Sequence, residues 1–498
     1  MFGSQWNVHR TLRHHIFIDN TYCSIHMIEG IGEGQTTKIL IEEIMNINRN
    51  NLDSKTVDKA KLAILDSIGC AIYGSNTPWS KIIVDYVRDL SSKATSTVFL
   101  SDIKTDPSNA AFANGTMIHG YEMDDIFMEG KIQPGGVVIP AALSVSEMID
   151  ADGITLIEAI VWGYEAMGRI GLGLGPKAAK SRGWHITGIT GTFGAAAAAG
   201  RLLELSKDEM ASAFGLAGTQ SAGLFAFTSD GSMSKRIHPG LASQKGVMSA
   251  ILAKKGFRGP TKILEATDGG FLKTFSDGYD LGKIHKKKED KLIIERSGFK
   301  LYSCCGSINP ALDAIKKLVS DERHSEDRVD SIDIGVSKLV LEQCGWNYEP
   351  FSVLQAQMSL KFCVASMIRD GQVFINQFTD TKISDPKTVE LSKKVNVYVD
   401  READAMYPKK NPARVTLKMI DGSQSTIYVD EPIGVSETNV ASPDDLVSKF
   451  NSLSVPVIGS LKARKIINEI MNLEKNSNLN DFLSYLRGGS RKDKGRSS

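Results

Sequence analysis

The chain has 498 residues, with 59 Lys and Arg against 58 Asp and Glu and a formal net charge of +1. So close a balance leaves no electrostatic footprint for nucleic acid or an anionic membrane surface, and the length exceeds one ordinary core, so roughly two or three domains are expected. Of the six cysteines, Cys304 and Cys305 are adjacent, Cys23, Cys70, Cys344 and Cys363 are scattered, and none forms a C-x-x-C pair; this is free-thiol usage in a reducing compartment, without a zinc or iron–sulfur signature.

Residues 1–35 carry Arg10, Arg13 and several histidines but no continuous apolar run, so a secretory signal is not expected. The scarcity of acids leaves a mitochondrial presequence open, yet Ser and Arg richness is lacking. A short disordered leader on a cytoplasmic protein is the plainer expectation. From Thr36 the pattern turns helical. TKILIEEIMNINRNNL is followed by SKTVDKAKLAILDSIGCAIYG, where Val57, Ala60, Leu62, Ala63, Leu65 and Ile68 share one broad face, Ser54 suits an N-cap and Gly74 falls just past the end. WSKIIVDYVRDL, AAFANGTMIHGY, TLIEAIVWGYEAMGRIG, RLLELSKDEMASAFGLAG and GLASQKGVMSAILAKKG continue in that style, and Pro140 is expected in the first turn of a buried helix. Nothing before about residue 275 alternates like a strand.

Beyond the basic run HKKKEDK the character changes. RVDSIDIGVSKLVLEQ, SKKVNVYVD and ARVTLKMIDGSQSTIYVD read as short β-branched strands, the last carrying an Asp-Gly turn, with the helices PALDAIKKLVSDE and LQAQMSLKFCVASMIRDG between them. PDDLVSKFNSL and LKARKIINEIMNLE then return to helix. The expected fold class is mainly α: helical segments at 36–275 and 433–485, a smaller α+β unit at 276–432, and a disordered tail at 486–498.

The chain is organised around Gly183 to Leu205, GWHITGITGTFGAAAAAGRLLEL. From Ile186 to Gly200 no side chain is charged and most residues are Gly, Ala or Thr, which lets neighbouring backbones approach closely. His185 stands at the mouth of this run beside Trp184, where a helix N-terminus and low polarity hold an imidazole near neutrality and suit it to proton transfer. A buried histidine bonded to a backbone carbonyl is the alternative. A membrane span is disfavoured because the run is Leu-poor and closed by Arg201 and Glu204.

SMSKRIHPGLASQ places Lys235, Arg236 and His238 before a Pro-Gly break that is expected to open a helix. These cations suit a di- or tricarboxylate, with a solvated basic turn as the alternative. HGYEMDDIFMEG supplies Glu122, Asp124, Asp125 and Glu129. Asp125 and Glu129 on one helix face would suit magnesium, as in the aspartate-rich motif of terpenoid cyclases, but no second metal motif follows and the α+β unit does not fit an all-helical cyclase. GLGLGP and GITGTFG lack the strand and spacing of a dinucleotide fingerprint. In SGFKLYSCCGSINPALDA, Lys300 and Cys305 lie on a loop that opens a helix; with no histidine nearby in sequence, Cys305 reads as part of a close-packed turn more than as a nucleophile.

Six phrases in this order, HGYEMDD, QPGGVVIPAAL, GWHITGITGTFGAAAAAGRLLEL, SMSKRIHPGLASQKGV, GFKLYSCCGSINPALDA and SLKFCVASMIRDG, resemble the MmgE/PrpD family, and the resemblance runs from Thr36 to Glu474. It implies a large helical domain built from both ends of the chain, an inserted α+β lid, a site between the two, a homodimer, and chemistry without metal, iron–sulfur cluster or organic cofactor. The family includes 2-methylcitrate dehydratase and cis-aconitate decarboxylase. The resemblance therefore implies a lyase on a small polycarboxylate, most like a 2-methylcitrate dehydratase, with neither nucleic acid nor a membrane as partner. An epimerase or isomerase, a cis-aconitate-type decarboxylase and a non-catalytic carboxylate binder are the alternatives.

Position by position, His185 matches the family histidine of the GWH phrase, Lys235 and His238 match the KR-x-HPG phrase, and Lys300 matches the lysine ahead of the paired cysteines. The resemblance casts His185, Lys235, Glu122 and Asp125 as catalytic, with Asp124 or Asp125 orienting His185. It casts Arg236, His238, Lys300, Gln133, Cys305 and Ser232 as substrate-binding. The chain also departs from the family pattern. Glu122 stands for a usual Asp, Ile126 and Met128 for Thr and His, Gln133 for a His before Pro-Gly, and Cys305 for a His of the decarboxylases; Tyr348 is the candidate for their lid tyrosine. Gln133 cannot donate a proton as histidinium does, and Ile126 and Met128 point to a less highly charged or bulkier substrate.

Overall fold

The small-residue stretch after His185 becomes the helix around which the others pack. In a computed structural model of the protein, describing residues 34–285, 291–319, 326–435 and 438–488, the helices of the first part are α1 (Thr36–Met45), α2 (Ser54–Gly74), α3 (Pro78–Asp89), α4 (Pro107–Ile118), α5 (Gly135–Ile149), α6 (Gly153–Gly173), α7 (Pro176–Ser181), α8 (Ile186–Leu202), α9 (Lys207–Gly218) and α10 (Ser234–Lys254). Helix α8 packs against α5, α6, α9 and α10, and every residue from Ile186 to Gly200 is buried. Small side chains make this possible. A Cβ added at Gly246 of α10 would overlap the Cβ of Ala195 and stand 2.5 Å from the carbonyl oxygen of Thr192, so the two helices touch backbone to backbone.

Several local expectations are corrected. The N-cap of α2 is Asp53, whose carboxylate accepts from the Thr56 N–H at 2.7 Å; Ser54 is already helical, and Gly74 is the last helical residue. Helix α10 starts at Ser234 and carries Pro239 inside it, where a break was expected. Proline has no N–H for the carbonyl of Lys235, so α10 tolerates one missing rung between the turn bearing Lys235 and the turn bearing Gly240. Pro140 likewise lies inside α5, which already begins at Gly135. A two-residue ladder, β1 (Ser96–Thr97) against β2 (Lys104–Thr105), sits in the region read as free of sheet.

The alternating segments beyond residue 325 form one four-stranded sheet in the order β4-β3-β5-β6, from β3 (Val329–Val336), β4 (Val395–Val399), β5 (Ala413–Met419) and β6 (Gln424–Val429). Strand β3 runs parallel to β4 and antiparallel to β5, and β5 and β6 form the hairpin expected around Asp421 and Gly422. Ala413, Val415, Leu417 and Met419 are buried in strict alternation, and the helix Asn309–Leu318 packs on β5 and β6. SKLVLEQ, read as a continuation of the strand, is instead the helix Lys338–Cys344, because the Ser337 hydroxyl caps it by accepting from the Val340 N–H. Near the C-terminus the helix Pro443–Ile458 returns to pack on α2.

From Gly34 onward the described residues form one compact unit. Among them no helix is long and apolar enough to cross a membrane. The leader up to Glu33, the middle of the basic run and the tail from residue 489 lie outside the described residues; the start of the expected disordered tail is corrected, since Leu486 is the buried last residue of the helix Asn480–Leu486 and its carbonyl accepts from the Leu100 N–H at 2.7 Å.

Candidate active site

A hollow opens where the N-terminus of α8, the first turns of α10, the loop 122–134 and the Cys305–Ser307 segment converge. Its polar lining includes Glu122, Gln133, His185, Lys235 and Cys305, all singled out from sequence, and its apolar lining includes Ile126, Met128, Trp184, Ile186, Phe225 and Leu339. Gly306 makes room for the apolar wall, since a Cβ there would lie 3.0 Å from Cδ1 of Ile126. Residues 122–134 are loop: Phe127 and Ile132 bridge a turn, and Ile126 pairs with Gly298.

Glu122 is the electrostatic hub. It follows a short 3-10 helix, His119–Tyr121, in a left-handed conformation at φ 59°, which costs a non-glycine residue about 1 kcal/mol or more and persists where surroundings enforce it. The enforcement is visible: its Oε1 accepts from both Lys235 Nζ and Arg236 Nη1, the latter at 2.9 Å. Burial would push its carboxyl up, but Lys235, Lys300 and Arg236 hold it well below the usual carboxylate range. Arg236 also donates to Gln357 Oε1 at 2.7 Å and lies over Trp79. Arg236 therefore does not line this hollow; it lines a second one, with Trp79.

His185 caps α8 with its backbone. Its N–H donates to the Gly223 carbonyl at 2.9 Å, while the ring is free of any bond to the helix. The ring partner is another imidazole: His185 Nδ1 and His238 Nδ1 lie 3.0 Å apart, and Phe225 and Phe227 pack around the His185 ring. Burial, then the neighbouring His238 and Lys235, hold His185 well below the ordinary histidine value, and burial brings His238 down to about 4. Both rings are neutral at neutral pH, so one Nδ1 donates and the other accepts.

Asp124 does not orient His185. It accepts at 2.7 Å from Nδ1 of His119, a histidine not singled out from sequence, and its other oxygen is 3.6 Å from Lys300 Nζ. Lys300 is fully buried and, like Asp124, does not line the hollow. Asp125 faces away too: Tyr164 donates to it at 2.6 Å and the Gly135 N–H at 2.7 Å, and burial raises its pKa to about 7. Asp125 and Glu129 lie in the loop 122–134 and so share no helix face, and Glu129 pairs with Arg296. Among the described residues no group of acids, histidines or cysteines is placed to hold a metal. Ser232 lies in a second hollow with Trp79 and Phe351, bonded to Ser234. Gln133 Oε1 accepts from the Thr187 hydroxyl at 2.6 Å. Cys305 accepts from Gln343 Nε2 at 3.5 Å, and a hydrogen bond with the free Cys344 thiol together with Lys235 draws its pKa down against burial.

Tyr348 is turned elsewhere, donating to the Ile383 carbonyl at 2.7 Å and packing on Phe362. The tyrosine that lines the hollow is Tyr407, and with it come Lys131, Lys180 and Gln343, none of them singled out from sequence. Lys131 had a usable signal, lying between Met128 and Gln133 on the loop that carries the family departures. Tyr407 had none, since only the fold brings it to Cys305.

The hollow thus sets a neutral imidazole pair beside a shared lysine–glutamate contact in a mainly helical body. Comparison with known sequences gives it a family. The MmgE/PrpD N-terminal domain matches residues 39–283 and the MmgE/PrpD C-terminal domain matches residues 302–475, so the chain belongs to the MmgE/PrpD family. Cis-aconitate decarboxylase of Aspergillus terreus is 29% identical over 464 residues, covering 89% of this chain and 94% of the relative. The human cis-aconitate decarboxylase is 26% identical, covering 91% and 95%. The mitochondrial 2-methylcitrate dehydratase of Yarrowia lipolytica is 23% identical, covering 83% of each.

Proposed function

We propose that the protein is a lyase acting on a small polycarboxylate, with His185 moving the proton and Lys235 steadying the negative charge that develops beside it. The observation that carries this reading is His185, neutral and paired with His238 behind it, lining a hollow that also contains the Lys235–Glu122 contact. Decarboxylation of a cis-aconitate-like acid is the first reaction to test. Loss of carbon dioxide from the CH2–COO⁻ arm shifts the double bond and leaves an electron pair on the carbon next to another carboxylate, and one proton delivered to that carbon completes the product. A neutral imidazole N–H supplies that proton. His238, which is only partly buried, can pass a replacement from solvent through the shared Nδ1 contact. The ammonium of Lys235 favours the charge-bearing state, and the walls of Ile126, Met128 and Leu339 suit a departing neutral molecule.

Dehydration of the 2-methylcitrate type is the second reading, favoured by Lys235 and Tyr407 in the same hollow, either of which can protonate a departing hydroxyl. The reading assigns no step to a metal or organic cofactor. It includes residues 276–432 as a cover over the site, supported by the entry of Cys305, Gln343 and Tyr407 from that segment. It also includes a homodimer and a cytoplasmic location, with the mitochondrial matrix as the alternative; sedimentation and fractionation test these.

Incubating the purified protein with cis-aconitate, 2-methylcitrate and citrate in deuterated buffer tests the reaction. Carbon dioxide with one deuterium in the product supports the first reading, and loss of water supports the second. Deuterium exchange alone points to an isomerase, and binding without turnover to a non-catalytic relative; either outcome removes the lyase reading.

A further inference from the structure

The cations expected to clamp substrate are already matched inside the protein. Lys235 and Arg236 share Glu122, and Lys300 sits at Asp124. Glu122 is also the one carboxylate among the described residues lining the hollow. Two further ammonium groups line that hollow, and among the described residues neither has a carboxylate within 4.0 Å. Lys180, near the end of α7, holds its Nζ over the Phe225 ring, 3.2 Å from the centroid. Lys131 holds its Nζ 4.7 Å from the Tyr407 centroid, with the Met128 sulfur at 3.4 Å. An aromatic face stabilises an ammonium while leaving most of its N–H donors open to an anion. Lys131 is also held at φ 55°, a left-handed conformation that lysine adopts only under constraint, and its Nζ is kept in the hollow with a sulfur and an aromatic face for neighbours and, among the described residues, no carboxylate within 4.0 Å.

We infer that Lys131 and Lys180 form the site's carboxylate-selecting pair, engaging the carboxylates of the ligand that do not react and making the hollow specific for acids with two or more negative charges. The inference rests on the proposed polycarboxylate reading and deepens it. Burial lowers both amines to about 8, the state of cations waiting for counter-charge. The sequence departures agree: Gln133 and Met128 remove two imidazoles from this wall, and Lys131 and Lys180 supply positive charge beside them.

The test is calorimetric binding of three unreactive acids, tricarballylate, glutarate and butyrate, to the full chain and to its Lys131→Met, Lys180→Met and Lys180→Arg variants, with turnover of cis-aconitate followed in parallel. Wild type should prefer tricarballylate to butyrate. Each Met variant should weaken tricarballylate about ten- to a hundredfold while leaving butyrate nearly unchanged, and Lys180→Arg should keep the preference. A preference for charge that survives both Met substitutions, or is absent in wild type, overturns the inference. A preference that follows the lysines without any turnover sustains it and removes the lyase reading; turnover indifferent to the lysines does the reverse.

Discussion

His185 Nδ1 and His238 Nδ1 stand 3.0 Å apart, and that contact fixes the protonation state on which the chemistry depends. The groups facing the pair are His119, Lys235 and Glu122, with Phe225 and Phe227 closing the sides. Positive neighbours and burial both oppose charging the rings. The acid limb of kcat/KM should therefore fall near pH 4, where His238 protonates, and not near the ordinary 6.5. The sign for stability is the same: a histidine depressed in the folded state is protonated first in the unfolded chain, so its contribution is complete above 6.5 and is lost as pH falls towards 4. His238 alone accounts for roughly 3 kcal/mol of that loss. Urea midpoints between pH 7 and pH 4, compared with His238→Ala, measure it.

Glu122 balances two cations in the interior. Glu122→Gln removes that charge and leaves Lys235 and Arg236 buried without it, which should cost about 3–5 kcal/mol of stability. Thermal unfolding shows whether the loss is of that size. Lys300→Met should likewise lower the unfolding temperature and leave KM nearly unchanged, because Lys300 faces Asp124 and not the hollow.

Much of this arrangement was legible in the sequence because its signals are local. Small-residue patterning places α8, α-helical periodicity places α2, and the Asp-Gly turn places the β5–β6 hairpin. His185, Glu122, Lys235, Gln133 and Cys305 do meet in one hollow. The clamp roles of Arg236 and Lys300 were not legible, because a residue's type says nothing of whether another buried group has already taken its charge. His119 and Tyr407 escaped for a related reason. His119 reads as one polar residue at a helix end until Asp124 folds back on it, and Tyr407 reaches the hollow only through the path of the chain between Arg401–Met406 and β5.

The crossing of α8 and α10 supports everything at the site. Gly246→Ala would set a methyl against Ala195 and the Thr192 carbonyl, and should destabilise by about 1–3 kcal/mol with reduced turnover, since His185 and Lys235 ride on the two helices that are forced apart. Chemical denaturation and kcat on the same sample test both effects.

Lys131 and Lys180 set a basic limb. Lys131 is faced by Glu129, Cys305 and Tyr407, and Lys180 by Cys305, Cys344, Glu342 and Phe225. Both amines lose their proton near pH 8, so KM for a tricarboxylate should rise through pH 8 to 9 while kcat changes less; in Lys131→Met with Lys180→Met that rise should disappear. A KM–pH profile for the two proteins shows it.

The most direct test compares wild type with His185→Ala on cis-aconitate in deuterated buffer, reading carbon-bound deuterium in the product by NMR. The account predicts one deuterium per turnover in wild type and a fall in kcat of about a hundredfold to ten-thousandfold in the variant, with an unchanged circular dichroism spectrum. A folded variant that turns over and incorporates deuterium as fast as wild type would contradict it.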